Sequence, residues 1–184
     1  LGLVERGAAL RRGGARAGDL LYVSGWPGEA AAGLELLQRG LDVAPDDALV
    51  RRCRYAEPRL ALGRALRGLA TAAMDVSDGL LGDLGKLCAA SGVGARLELE
   101  RLPVSPELAA RHAAGDCERL VLAGGDDYEL LFTLPAAAAV AAESALAGVC
   151  AVHRIGIIEA QPGVRCLRDG RPVRTGAAGY DHFA

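Results

Sequence analysis

The sequence predicts an α+β fold in which a mixed β-sheet is packed with helices. Three observations predict it. Short apolar runs of strand length alternate along the chain with longer segments whose apolar residues recur at helical spacing, a pattern that on its own also allows α/β. The 184 residues are 51% hydrophobic and 24% charged, the balance of a chain that buries a core. A two-residue Asp169-Gly170 hairpin signal adds antiparallel pairing to whatever parallel pairing the alternation brings.

Taken in order, Gly18-Asp19 leads into Leu20-Leu21-Tyr22-Val23, an apolar run with the length of a buried strand. Ser24-Gly25-Trp26-Pro27-Gly28 breaks it, and Glu29–Gln38 follows with helical spacing up to a C-capping Gly40. A Gly-rich turn before a helix can bind phosphate through free amides, although a simple tight turn uses the same residues. Asp46 is placed to cap a helix that runs through Arg54 and stops before Pro58. Arg59–Gly68 reads as another helix, and Ala72–Val76 as a strand ending at Ser77-Asp78-Gly79. Leu80, Leu81, Leu84, Leu87 and Cys88 mark an amphipathic helix that reaches Ser91-Gly92. Gly94–Leu99 alternates as a strand, and Pro103–Pro106 is a loop before a short helix at Glu107–Ala113. Cys117–Ala123 is helical and stops at Gly124-Gly125; Tyr128–Leu134 is a strand and Ala136–Leu146 a helix. Ala151–Ile158 and Val164–Leu167 are strands, the second turning through Asp169-Gly170 into Arg171-Pro172-Val173. No internal repeat or low-complexity linker interrupts the series.

Charge narrows the function classes. The 21 basic and 23 acidic residues leave a net −2, without the basic excess of a dedicated nucleic-acid binder. Only Lys86 among the basic residues is a lysine. No apolar run approaches the ~20 residues of a membrane span. The five cysteines are odd in number and widely spaced, which fits reduced thiols in a cytoplasmic protein better than disulfides or a zinc site. The chain starts at Leu1 without an initiator Met or a signal-peptide layout, so a start within a longer protein is expected.

Two groups of acids fall at strand ends. Asp75 and Asp78 flank a strand-to-helix turn, with Ser77 between them and Asp83 further along the helix. Hard oxygen donors of this kind suit Mg²⁺ shared with phosphates, yet Ser and Asp at a helix start also serve as plain caps, the commoner use. In Gly124-Gly125-Asp126-Asp127-Tyr128-Glu129-Leu130, two glycines allow close backbone approach, and an acid there can meet a cation or polar substrate. A capped turn with solvated carboxylates describes those residues equally well.

Three motifs resemble thiamine-monophosphate kinases. They are Asp75-Val76-Ser77-Asp78-Gly79-Leu80-Leu81-Gly82-Asp83-Leu84, the Gly124–Leu130 segment, and Gly179-Tyr180-Asp181-His182-Phe183. Leu10–Ala15, Gly18–Gly25 and Glu57-Pro58-Arg59 add to the likeness, which runs over nearly the whole chain in order. The middle motif separates that family from the related aminoimidazole ribonucleotide synthetases and selenophosphate synthetases. The resemblance implies the C-terminal-domain fold of the aminoimidazole ribonucleotide synthetase superfamily, and ATP- and Mg²⁺-dependent phosphorylation of thiamine phosphate to thiamine diphosphate. It implies Asp75 and Asp78 as metal ligands, Ser77 and Arg12 as ATP contacts, and Asp126 and Tyr180 as substrate contacts. Asp126 stands where the family often has Glu, one methylene shorter. No side-chain nucleophile is implied, and the three histidines need no catalytic role.

The resemblance also implies that residues 1–184 are a C-terminal domain, with 1–17 as a lead-in from a domain junction. The N-terminal domain, which carries most metal-binding acids and much of the nucleotide site, is not in this sequence. Little turnover is therefore expected from the chain alone, and the dimerisation of family members has no support here. A non-catalytic partner module of the same fold, or another ATP-dependent enzyme of the superfamily, remains an alternative.

Overall fold

The computed structural model describes residues 3–175 apart from 41, 43 and 45. Its strands are β1 (Leu20–Ser24), β2 (Ala72–Val76), β3 (Gly94–Glu98), β4 (Glu129–Leu134), β5 (Val152–Glu159), β6 (Gly163–Arg168) and β7 (Arg171–Val173). They form one sheet in the order β2-β4-β1-β5-β3-β6-β7. β3 and β6 pair in parallel and every other neighbouring pair is antiparallel, so the sheet is mixed as expected.

Strand period places alternate side chains on two faces, and both faces are covered. On one, Leu21, Val23, Val76, Leu97, Leu131 and Ile155 join a core. It is closed by apolar residues from α1 (Glu29–Gln38), α2 (Ala48–Arg54), α4 (Leu80–Ser91) and α6 (Ala114–Ala123). The opposite face carries Tyr22, Ala73, Phe132 and Leu134. Leu62 and the adjoining Leu66 cover it from α3 (Leu60–Ala65), with Ala142 and Leu146 of α7 (Ala139–Leu146). Tyr22 and Phe132 stack there with ring centroids 5.4 Å apart. A one-turn α5 (Pro106–Ala109) sits between β3 and α6.

Several boundaries differ from the sequence reading for local reasons. Asp47 rather than Asp46 caps α2, because its carboxylate reaches the amides of Leu49 and Val50 at 3.0 and 3.2 Å. Ser105 caps α5 through the Leu108 amide at 3.1 Å, so that helix starts at Pro106 and is over by Ala109. α3 is shorter than the Arg59–Gly68 reading: Arg59 is drawn into an ion pair with Glu129 and gives the helix no side-chain cap, and Gly68 at the other end has φ +76°, outside the helical region. α6 starts at Ala114, ahead of Cys117, and Ala136–Ala138 form a 3₁₀ turn before α7. β4 begins at Glu129, because Tyr128 has φ +52°, outside the strand region. All five cysteines are free. No described helix is long and apolar enough to cross a membrane.

Candidate active site

The end of β2 is turned into α4 by a carboxylate from the helix itself. Asp83 is fully buried in the first turns of α4, and its Oδ2 accepts from the amides of Ser77 and Asp78 at 2.8 and 2.9 Å. Two backbone donors that would otherwise be orphaned are thus satisfied, and the turn is held in one conformation. Lys86, one helical turn further on, donates to Asp83 Oδ1 at 2.8 Å and also pairs with Asp78 Oδ2. The two carboxylates together hold the Lys86 ammonium above its usual pKa.

The Gly124–Tyr128 loop lies against this turn. Asp126 N donates to Ser77 O and Tyr128 N to Val76 O, both at 2.9 Å. Asp126, at φ +63°, is a residue type that tolerates the left-handed region. Gly125 has no space for a side chain, since a Cβ there would come within 2.5 Å of the Ser77 carbonyl oxygen. Ser77, Asp78, Gly125, Asp126, Tyr128 and Cys53 line one cleft of about 690 Å³. Its volume is in the range of small-molecule sites.

The loop acids divide by direction. Asp126 and Tyr128 face the cleft, whereas Asp127 and Glu129 are buried, so the solvated-carboxylate reading of this loop fails for both. Asp127 accepts from Gly28 N at 2.7 Å and Ala30 N at 3.2 Å, which caps α1 from another part of the chain. Burial pushes its carboxyl up to about 7 against the pull of those amides. Glu129 is clamped by Arg52 Nη2 at 2.5 Å, by Arg59 at 2.6 and 2.7 Å, and by the Ser24 hydroxyl at 2.5 Å. Burial raises the Glu129 carboxyl, but Arg59, Ser24 and Arg52 together outweigh it and hold the group below its usual value. A Cβ on Gly25 would come within 2.1 Å of Glu129 Oε1, so a glycine is required beside this clamp.

Of the residues singled out by sequence, Ser77, Asp78 and Asp126 share the cleft. Asp75 is exposed on the edge strand β2 opposite Leu130, and strand alternation puts it on the face of Ala73, away from α4. Asp78 is among the residues that line the cleft, and Asp75 is not. Arg12 is exposed, and its carbonyl accepts from Ser91 Oγ at 3.3 Å, at the far end of α4 from Ser77. The 12 residues of α4 separate the two by about 18 Å. Tyr180 and His182 lie outside the described residues.

Glu129, Arg52, Asp127 and Lys86 escaped the sequence reading. A signal existed for the first: Glu129 heads an apolar strand at the period of buried Leu131, and a charge there demands a partner. Arg59 of the Glu57-Pro58-Arg59 motif is that partner.

Among the described residues no group of three or more His, Cys, Asp or Glu side chains is arranged to hold a metal ion. Asp78 supplies a hard oxygen donor on the cleft wall, and Asp75, near the end of β2, offers a second. That set fits Mg²⁺ completed by phosphate oxygens and water, and does not fit an all-protein cage.

Comparison with known proteins places this architecture. The family described as AIR synthase related protein, C-terminal domain, matches residues 16–168. This chain belongs to that family. Within AIR synthase related proteins, the thiamine-monophosphate kinase of Salmonella typhimurium is 43% identical over 188 residues, which takes in 100% of this chain and 58% of that protein. The crystal structure of the Stenotrophomonas maltophilia thiamine-monophosphate kinase superposes with a TM-score of 0.84 at 40% identity, over 92% of this chain and 56% of that one. A structure described as AaThiL complexed with AMPPCP and TMP gives a TM-score of 0.79 at 33% identity, over 95% of this chain and 54% of that one. The chain thus spans a little over half the length of the relatives it matches.

Proposed function

We propose that this chain is the C-terminal part of an enzyme that uses ATP and Mg²⁺ to phosphorylate thiamine phosphate to thiamine diphosphate. The observation that carries the reading is the backbone pairing of the Ser77–Asp78 turn with the Gly125–Tyr128 loop around one cleft. These two segments carry the motifs by which the chain resembles thiamine-monophosphate kinases, and the likeness extends over the whole chain in sequence and over 92% of it in fold. A kinase relative bound to AMPPCP and TMP supports ATP and a phosphorylated acceptor as ligands.

The roles follow from chemistry. Phosphoryl transfer asks the protein mainly to position phosphates and neutralise their charge. Asp75 and Asp78 would hold Mg²⁺, which supplies that neutralisation when bound. Ser77 adds a hydroxyl beside the cleft, and its amide is already committed to Asp83. Asp126 offers an anionic group to the cationic thiazolium of the substrate, and Tyr180 an aromatic surface. Arg12 is assigned to the nucleotide. A phosphate oxygen of thiamine phosphate displaces ADP directly, so no protein nucleophile is required.

In the same reading, residues 1–17 are a lead-in and an N-terminal domain from elsewhere completes the metal and nucleotide site, through which a homodimer would form. The setting is cytoplasmic, in keeping with five free cysteines. The test is thiamine diphosphate formation after the preceding domain of a relative is joined to Leu1. Turnover that needs Mg²⁺ and falls strongly in Asp78→Asn supports the proposal; turnover from the 184 residues alone at about 1–100 s⁻¹ would refute the domain assignment.

A further inference from the structure

Lys86 is the only lysine in the sequence, and its ammonium sits on the carboxylate of Asp78. We infer that Lys86 is the resident counter-ion of Asp78, a positioning residue that a divalent cation displaces when it binds and that thereby sets the cation affinity of the turn. The inference rests on the assignment of Asp78 as a Mg²⁺ ligand.

The two acids that Lys86 bridges are not equivalent. Asp83 is fully buried and its other oxygen is committed to the Ser77 and Asp78 amides, so it is a fixed anchor. Asp78 is part-exposed on the wall of the cleft, which Asp126 also lines, and two carboxylates facing one space favour a cation between them. Lys86 is itself the more mobile partner, with 42% of its side chain exposed on a flexible stem. An ammonium and a divalent ion cannot share the inner contact of one carboxylate without strong repulsion. Cation binding at Asp78 therefore moves Lys86 onto Asp83 alone. That residual pair keeps the buried Asp83 neutralised, and Asp83 keeps its hold on the Ser77 and Asp78 amides, so the turn retains its conformation.

The single lysine makes the exchange readable. The full chain is acylated with an amine-selective reagent, and the Lys86 peptide is quantified by mass spectrometry with and without Mg²⁺ alone. Mg²⁺ is expected to raise Lys86 labelling about two- to fivefold, the change that loss of an exposed ion pair gives. Asp78→Asn is expected to raise labelling without Mg²⁺ and to remove the Mg²⁺ response. Conversely, Lys86→Met is expected to tighten Mn²⁺ binding, read by electron paramagnetic resonance, by a similar factor, since competition is reciprocal. Labelling indifferent to Mg²⁺, or an equal rise in Asp78→Asn, would overturn the inference. Neither readout involves thiamine phosphate. A joined enzyme that makes no thiamine diphosphate leaves a Mg²⁺-dependent labelling result standing, and a flat response in an active enzyme removes the role of Lys86 alone.

Discussion

Asp127 caps a helix whose N-cap, Gly28, lies 99 residues earlier in the chain: its carboxylate accepts from the Gly28 amide at 2.7 Å and the Ala30 amide at 3.2 Å. The contact ties the cleft loop to the N-terminus of α1. Substitution by Asn keeps the shape and one acceptor, so Asp127→Asn is expected to lose about 1 kcal/mol, as cap changes do. The pH dependence has a definite sign. With its folded pKa raised from 3.8 to about 7, Asp127 binds its proton more tightly in the folded state. Its stabilising contribution is complete below the unfolded value and is lost as pH rises through about 7. Urea unfolding across that range is expected to show wild type losing stability relative to Asp127→Asn as pH increases.

The Arg59–Glu129 pair predicts a larger effect. Glu129 is fully buried, so Arg59→Ala leaves a desolvated carboxylate short of its bidentate partner. A loss of about 3–5 kcal/mol is expected in chemical unfolding. Replacing both residues with methionine is expected to recover most of that loss, because the uncompensated charge is then gone.

These two contacts also mark what a sequence can and cannot show. Apolar period located α4 and β4 to within a few residues, because their cores are built from spaced leucines, and β2 was legible as a short run of small and apolar residues. Ser77, Asp78 and Asp126 were legible since the motifs place them at strand ends, and the structure brings all three to one cleft. The Asp127 cap and the Glu129 clamp were not legible. Each joins segments 70 or more residues apart, and local spacing carries no information about that pairing. Asp75 is an intermediate case: its spacing from Asp78 suggested convergence, and strand alternation fixes only its own direction, on the face of Ala73.

Gly125→Ala tests the contact between the loop and the turn. Its Cβ would lie 2.5 Å from the Ser77 carbonyl oxygen, so the loop must shift. About 1–3 kcal/mol of stability is expected to be lost. Slower-exchanging amides at Asp126 and Tyr128 should become less protected, as hydrogen exchange would show.

Asp126→Asn separates charge from fold. Asn tolerates the left-handed backbone at this position and keeps the side-chain length. In the enzyme completed by an N-terminal domain, kcat/KM for thiamine phosphate is expected to fall about 10- to 100-fold, the size of a lost charge-assisted contact, with the KM for ATP little changed. Tyr180→Ala is expected to raise the KM for thiamine phosphate in the same selective way.

The most direct test of the central claim is thiamine diphosphate formation by this chain joined to the N-terminal domain of a relative such as the Salmonella typhimurium thiamine-monophosphate kinase. The account predicts Mg²⁺-dependent conversion of thiamine phosphate that Asp78→Asn strongly reduces. A joined protein that folds and binds ATP yet forms no thiamine diphosphate, or one whose Mg²⁺ dependence is unchanged in Asp78→Asn, would contradict it.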